Sequence, residues 1–316
     1  MELIDIYSVL LDLGAGIIYL LACFVLFLVG KFVYRLVNPG IEIDAELVKK
    51  DNVAFAVAIA GYYLGLVMAI GGALSGPNNW VLTDPFSLSK NLTIALIHLL
   101  DLAIYGVLAI ILMNLSILIN DKFIMYKFSN RDEIIRDQNA GTGAIEFASY
   151  VATGLVVLGA VSGEGGHLVT ERMLGKIELG GLISALVFWG LAQVVMVIAG
   201  LIYNWMTPYD VHEQIERDNV AAGVGFAGIL LAIGNVTRIA CSGDFVSWGE
   251  NLMRFGYIVV IGLLLMPFIR IVVDKILLPG ESLSDEIARQ EKPNLGAAFI
   301  EAVSYVSASF LIGWAI

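Results

Sequence analysis

The stretch NAGTGAIEFASYVATGLVVLGAVSG, from Asn139 to Gly163, decides how this chain folds. As a helix it is long enough to cross a hydrocarbon core about 30 Å thick, which takes ~20 apolar residues. It carries one carboxylate, Glu146, well inside the apolar run. A charged group at mid-helix costs about 2.5–3.5 kcal/mol on insertion scales, so it needs a partner or a task. A second stretch, NLGAAFIEAVSYVSASFLIGWAI from Asn294 to Ile316, repeats the pattern with Glu301 at the same distance from its leading Asn. Two further copies begin at Asn52 and Asn219 and carry Ile59 and Phe226 where the acids would stand.

Outward from these four stretches, the whole chain is apolar. It is 59% hydrophobic and 15% charged, with a mean hydropathy of +0.85, well above the roughly 45–50% apolar content of soluble domains. No charged residue occurs between Asp51 and Asp84 or between Glu178 and Asp210. Eight apolar segments are expected as spans, at about 14–37, 52–74, 92–119, 139–162, 181–206, 219–240, 254–278 and 294–316. Lipid offers the backbone no hydrogen-bond partners, so continuous segments of this length must be helices; the short alternating segments of a β-barrel are not seen. The expectation is an all-α polytopic membrane protein with eight transmembrane helices.

Of the 18 Lys and Arg residues, 13 lie in or beside the loops that follow the odd-numbered spans, among them Lys49, Lys50, Arg131, Arg217 and Arg270. The positive-inside rule places those loops in the cytoplasm, which puts both termini outside and the protein in a bacterial inner membrane. The start, MELIDIY, lacks the basic region of a signal peptide. The net charge of −11 resides in short polar loops and does not point to nucleic acid. Cys23 and Cys241 fall within or at the end of spans and are read as packing residues rather than a disulfide.

The internal repeat organises the rest. Counted from Asn52, Asn139 and Asn219, the pair Ser-Gly recurs as Ser75-Gly76, Ser162-Gly163 and Ser242-Gly243. Copies one and three match at an offset of 167 residues. Copies two and four match at 155 within the span and at 153 upstream, through Asp121/Asp274, with a two-residue slip near Lys292-Pro293. The chain therefore divides into a first four-helix half (1–163), an outer linker (164–180) and a second half (181–316), each built of two related hairpins. An even number of spans per half makes the repeats parallel, related by an axis along the membrane normal.

A short polar run precedes each even span, as in DAELVKKDN and YDVHEQIERDN. Each reads as a helical turn followed by a cap, with Asp51 or Asp218 and the following Asn accepting from exposed helix N–H groups. The terminal Ser-Gly suits a helix end at which Gly takes a left-handed conformation. The even spans are rich in glycine, for example Gly61, Gly65, Gly154, Gly225 and Gly228. Small residues let helices in lipid approach closely, so the even spans are expected at the centre and the odd ones at the rim.

The polar turn, the DNVA motif at Asp51–Ala54 and Asp218–Ala221, the glycine-rich helix and the closing Ser-Gly resemble the YjfL-like family of bacterial membrane proteins (domain of unknown function 350). The match is clearest at Glu46–Gly65 and Glu213–Gly228, and the repeats extend it over nearly the whole chain as two tandem copies. The resemblance implies an inner-membrane protein and offers no catalytic residues to carry over.

The residues that bear chemistry are few. Glu146 lies about 10 Å below the start of its helix at 1.5 Å per residue, too deep for a cap. Tyr150 follows at i+4, and Glu301 with Tyr305 repeats the pair. Either the two acids face one another across the pseudo-axis, which would favour uptake of a proton or cation, or each is hydrogen-bonded within its own half. In the third span His98, Asp101 and Tyr105 share a face, and Arg254 falls at the place equivalent to Asp101 at the 153 offset, which suggests an ion pair between halves. Asn114, Gln193, Asn204 and Asn235 suit interhelical hydrogen bonds, and Arg238 a membrane-interface anchor. His98, His167 and His212 lack metal-ligand spacing with the cysteines. With no phosphate loop and no nucleophile–base set, neither cofactor, metal nor catalytic residue is expected.

Two functions follow from the sequence. One is a channel or transporter for protons or small cations, with Glu146 and Glu301 as exchange sites and Asp101, His98 and Arg254 as secondary stations. The other is a membrane scaffold, able to oligomerise, that recruits a cytoplasmic protein through its charged turns, notably Glu133 and Glu286.

Overall fold

The computed structural model describes residues 2–74, 88–162, 180–278 and 280–316. Eight helices among these are long and apolar enough to cross a membrane. They are α1 (Glu2–Val37), α2 (Val53–Leu74), α3 (Leu88–Ile119), α5 (Ala140–Val161), α6 (Gly180–Met206), α8 (Val220–Cys241), α9 (Trp248–Val272) and α11 (Leu295–Ala315). Three short helices, α4 (Asn130–Ile135), α7 (Val211–Glu216) and α10 (Leu283–Ala288), precede α5, α8 and α11. The even spans begin within a residue of the expected positions, because an Asn cap fixes each start. The odd ones run longer. Helix α9 begins at Trp248, where the Ser247 side chain accepts from Glu250 N at 3.2 Å, and α3 and α9 continue into wider π turns at Asn120–Ile124 and Val273–Leu277. The linker up to residue 179, Ser75-Gly76 and Gly163 lie outside the described residues.

The helices form two layers. In one, α2 packs on α5, α5 on α8 and α8 on α11, making an open row. In the other, α3 lies against α2 and α5, α6 against α5 and α8, and α9 against α8 and α11. Each odd-numbered span after the first (α3, α6, α9) thus covers the groove between two even-numbered ones (α2, α5, α8, α11), while α1 rests on α2 and α3. The expected centre and rim are found, but as a row: α2 and α11 stand at opposite ends, and the two halves meet along α5 and α8.

Glycine sets the spacing within the row. A Cβ on Gly154 would sit 2.5 Å from the Cα of Gly65, and one on Gly223 2.5 Å from the Cα of Gly141. Those distances are far below van der Waals contact, so neither position tolerates a side chain without separating the helices. In lipid, where apolar burial gives no solvent-driven gain, this close backbone packing is a main source of association.

The short helices are tied to the row by a repeated asparagine latch. Asn52, Asn139, Asn219 and Asn294 each accept, through Oδ1, from the backbone N–H three residues on, at 3.0–3.1 Å. Each also donates from Nδ2 to a side chain in its own turn: Glu46, Glu133, Gln214 and Glu286, at 2.6–3.1 Å. The first three donate further, to a carbonyl in the next repeat. Asn52 reaches Ile134 O at 2.8 Å, Asn139 Ile215 O at 2.6 Å and Asn219 Ile287 O at 2.8 Å. One residue type therefore caps its helix, closes its turn and fastens the following hairpin.

The expectation that Asp51 and Asp218 share the capping is corrected. With Gln138 they take positive φ, 49°, 60° and 55°, turning the chain into the Asn; Asp and Asn tolerate this left-handed geometry better than most side chains. Pro293 holds the equivalent place in the fourth copy and cannot adopt it, its φ being locked near −65°. The slip in the repeat therefore falls there: Asn294 N reaches back eight residues to Glu286 O, where Asn139 N reaches six to Glu133 O. At the other helix ends Ser242 donates from Oγ to Arg238 O at 2.6 Å and Ser162 to Gly159 O at 3.0 Å. Gly243 follows Ser242 at φ 101°, the left-handed glycine expected.

Candidate functional site

Glu146 is 5% exposed and points from α5 toward the end of α3 and the start of α4. The Asn130 side chain donates to Glu146 Oε1 at 2.8 Å and to Asp121 Oδ1 at 2.7 Å, so one amide bridges two carboxylates. Asp121 lies in the π turn that ends α3. The Tyr150 hydroxyl interacts with both Glu146 and Tyr34. These groups line a cavity of ≈ 40 Å³ shared with Asn38, Phe55, Ala58 and Ile117, room for about three waters at one probe sphere each. Arg131, exposed on α4, stands at its edge and donates to Pro39 O at 2.7 Å. Farther along α3, Asn114 donates to the Tyr62 hydroxyl at 3.1 Å, which donates to Gly30 O at 3.0 Å. Tyr62 in turn packs edge-on to Tyr150, 5.5 Å between centroids.

Glu301 occupies the matching place on α11 but has different company. It is fully buried and ion-paired with Arg270 of α9, and it accepts from the Tyr203 hydroxyl of α6 at 3.1 Å. The Arg270 guanidinium also donates to Ser284 Oγ at 3.0 Å and lies 5.7 Å from the Tyr203 ring centroid. A Cβ on Gly225 would meet Glu301 Oε2 and the Tyr203 hydroxyl at 2.7 Å, so α8 leaves no room beside the pair. At the 153-residue offset Arg270 stands where the first half has Ile117.

The two acids do not meet. Helix α8 stands between α5 and α11, and each acid is satisfied within its own half. Nor are Asp101 and Arg254 brought into one site: α3 packs on α1, α2, α5 and α6, whereas Arg254 on α9 donates to Ser242 O at 2.6 Å. Asp101 and Tyr105 are buried and His98 is partly exposed. Tyr305 is buried and its ring lies edge-on to Tyr203, 6.4 Å between centroids. Of the polar residues within spans, Asn114 bonds α2, Asn235 donates to Ser309 of α11 at 3.0 Å, and Asn204 accepts from Val211 N at 3.0 Å, whereas Gln193, against expectation, is buried without a hydrogen bond among the described residues. Arg238 is held by Asn235 Oδ1 at 2.9 Å. Among the described residues no three His, Cys, Asp or Glu side chains are grouped to hold a metal.

The sequence alone does not single out Asp121, Asn130 or Arg270 as site residues. Asp121 stood out only as a repeat match and Arg270 only as a positive loop flank. The signal lay in the same alignment: aligned at 153, an apolar Ile117 faces a charged Arg270 inside a span. Glu133, expected to face a partner, is instead 8% exposed and turned inward to Asn139. Burial raises its carboxyl above the ordinary range, and nearby Asp137, Asp218 and Glu216 add to the shift against the Asn139 bond. At Glu46 burial acts the same way, but bonds from Lys50 and Asn52 outweigh it and lower the carboxyl.

Fold and site together define an integral membrane protein of eight spanning helices, two four-helix copies side by side, each with one buried acid on its last helix. The family model described as Domain of Unknown Function (DUF350) matches twice, at residues 8–161 and 177–316, and the chain belongs to that family. The two matches are the two tandem copies expected from the sequence. The chain is also similar to a UPF0719 transmembrane protein of Aquifex aeolicus (strain VF5), 22% identical over 271 residues that cover 85% of this chain and 88% of the relative. No solved structure matches it.

Proposed function

We propose that this protein passes protons or small cations across the bilayer of a bacterial inner membrane, with exchange at the Asp121–Glu146 pair. The observation that carries the proposal is the single Asn130 amide held between two buried or half-buried carboxylates at 2.7 and 2.8 Å. Like charges this close favour a proton or a cation between them, and the adjoining cavity admits water. The positive-inside rule makes the short-helix side, where the cavity lies, cytoplasmic. Tyr150, Tyr34, Tyr62 and Asn114 continue a polar line from the pair into the membrane, toward Asp101, Tyr105 and His98 on the outer part of α3. Glu301, compensated by Arg270, is assigned a structural role, and Arg254 that of a helix-end clamp.

The test is ion flux into liposomes holding purified protein and a pH-sensitive dye. Glu146→Gln should lower proton flux at least tenfold and Asp121→Asn several-fold, both proteins eluting as the wild type does. A folded Glu146→Gln variant with wild-type flux of protons and of Na⁺ and K⁺ would refute the proposal.

A second reading, recruitment of a cytoplasmic protein, is favoured by charges that do face solvent: Arg131, Asp132, Arg136, Glu213 and Arg217. Co-purification of a soluble protein that is lost on reversing Asp132 and Glu213, with flux absent, would select it.

A further inference from the structure

The asparagine latch and the groove rule hold along the row and then break at both edges in complementary ways. Asn52, Asn139 and Asn219 are 1%, 2% and 5% exposed because the next repeat covers them. Asn294 caps α11 and bonds Glu286, yet it is exposed and reaches no carbonyl of a following repeat among the described residues. The face of α11 equivalent to the one that α5 presses on α8 is likewise uncovered. Gly141 and Ala152 of α5 touch Gly223 and Gly234 of α8; their counterparts on α11, Gly296 and Ser307, are exposed, as is Ile300 between them at 44%.

The opposite edge presents the other half of this contact. At the 167 offset Val220, Ala227 and Gly234 of α8 correspond to Val53, Ala60 and Val67 of α2. Val53 and Val67 are 59% and 54% exposed, and Ala60 is exposed too. The carbonyl that receives Asn139 belongs to Ile215, whose counterpart is Val48, 81% exposed in the turn before α2. Helix α1 supports the same conclusion. Every later odd helix lies over two even helices, but α1 has only α2, and its most apolar window is 11% buried.

We propose that copies of this chain associate head to tail, with α11 of one packing into the groove between α1 and α2 of the next, and Asn294 donating to the Leu47–Val48 turn. The contact would extend the interface by which the chain's own two family copies already meet. A second copy is the occupant that supplies this particular surface, because the receiving edge lies on the same chain. Val67 and Ala56 are larger than their α8 equivalents, which sets the partner helices farther apart than α5 and α8. A contact between unlike faces does not stop at two, and it gives a ring if the rotation closes and a chain if it does not.

The test uses the full-length protein in native membranes with Cys23 replaced by Ala and the buried Cys241 retained. Ser307→Cys with Val67→Cys reproduces the Ala152–Gly234 contact, and Gly296→Cys with Ala56→Cys reproduces Gly141–Gly223 nearer the latch. Under mild oxidation each double variant should give a ladder of dimers, trimers and higher species, and each single variant at least fivefold less. The second pair serves if the first disturbs folding. The proposal is overturned if both folded double variants stay uncrosslinked and native mass spectrometry finds monomer. It is equally overturned if Ser307→Cys alone crosslinks as well as the pair, which is a symmetric α11–α11 dimer, or if Ser307→Cys crosslinks instead to cysteines placed in the 163–179 segment of its own chain.

Discussion

Glu146 and Glu301 occupy the same place in two copies of one architecture, and their surroundings have diverged to opposite chemistry. Glu301 has a guanidinium on the neighbouring helix, a tyrosine hydroxyl and the backbone of α8 packed close at Gly225. Glu146 has a second carboxylate, a bridging amide and a cavity with room for a few waters. The difference traces to two aligned positions, Arg270 against Ile117 and Leu283 against Asn130. A buried acid with an excellent cation partner is a fastening. The same acid with another acid beside it favours uptake of a proton or cation, the basis of the proposed function. On the proposed function, duplication within the chain lets one copy hold the structure while the other exchanges charge.

The strongest way to break this contrast is to remove the cation. Arg270→Met strands a fully buried carboxylate, and unfolding in mixed micelles should show a loss of about 3–5 kcal/mol, the usual consequence of breaking a buried pair. Adding Glu301→Gln should recover most of that. Glu146→Gln, which keeps the Asn130 bond partner and removes a like-charge neighbour, should cost less than about 1 kcal/mol. A large loss at Glu146 with little at Arg270 would reverse the assignment.

The latches give a second contrast, between covered and uncovered copies. Asn219→Ala removes a cap, a bond within the turn and a bond to the next repeat, and should cost about 2–3 kcal/mol in the same unfolding measurement. Asn294→Ala removes the first two only, from an exposed site, and should cost about 1 kcal/mol in detergent-dispersed monomer.

A smaller effect separates the latch acids by pH. Glu46 is lowered when folded, so its contribution is present above the ordinary carboxylate value of 4.5 and is lost as pH falls through the folded value. Glu133 is raised, so its contribution is complete below 4.5 and is lost as pH rises through the folded value. Hydrogen exchange, corrected for its intrinsic pH dependence, should therefore quicken at residues 52–56 on acidification below about pH 4.5. At residues 139–143 it should slow between pH 7 and that point. Parallel behaviour of the two segments would contradict the distinction.

Much of this was legible in the residues. Eight spans, four repeats and the Asn starts follow from hydropathy, the offsets and the capping preference. The glycines foretold which helices pack closest. What could not be read was how the hairpins associate. A repeat with period-matched faces can close into a ring or lie open in a row, and periodicity is the same for both. Of the two arrangements left open for Glu146 and Glu301, a meeting across the axis requires closure; the row places α8 between them. Partners were hidden for a related reason. Asn130 looks like one more loop residue, and only the π turn that ends α3 brings Asp121 within its reach. Arg270 looked like a membrane-interface charge until the fold turned it inward.

The central claim is that Glu146 exchanges charge and Glu301 does not. Proton flux into liposomes should be measured for Glu146→Gln, for Ile117→Arg and for the double variant Arg270→Met, Glu301→Gln. Ile117→Arg copies the second site's cation into the first and should silence flux as fully as Glu146→Gln does. The double variant, folded, should retain at least half of wild-type flux. Loss of flux in the double variant with retention in the other two would contradict the account.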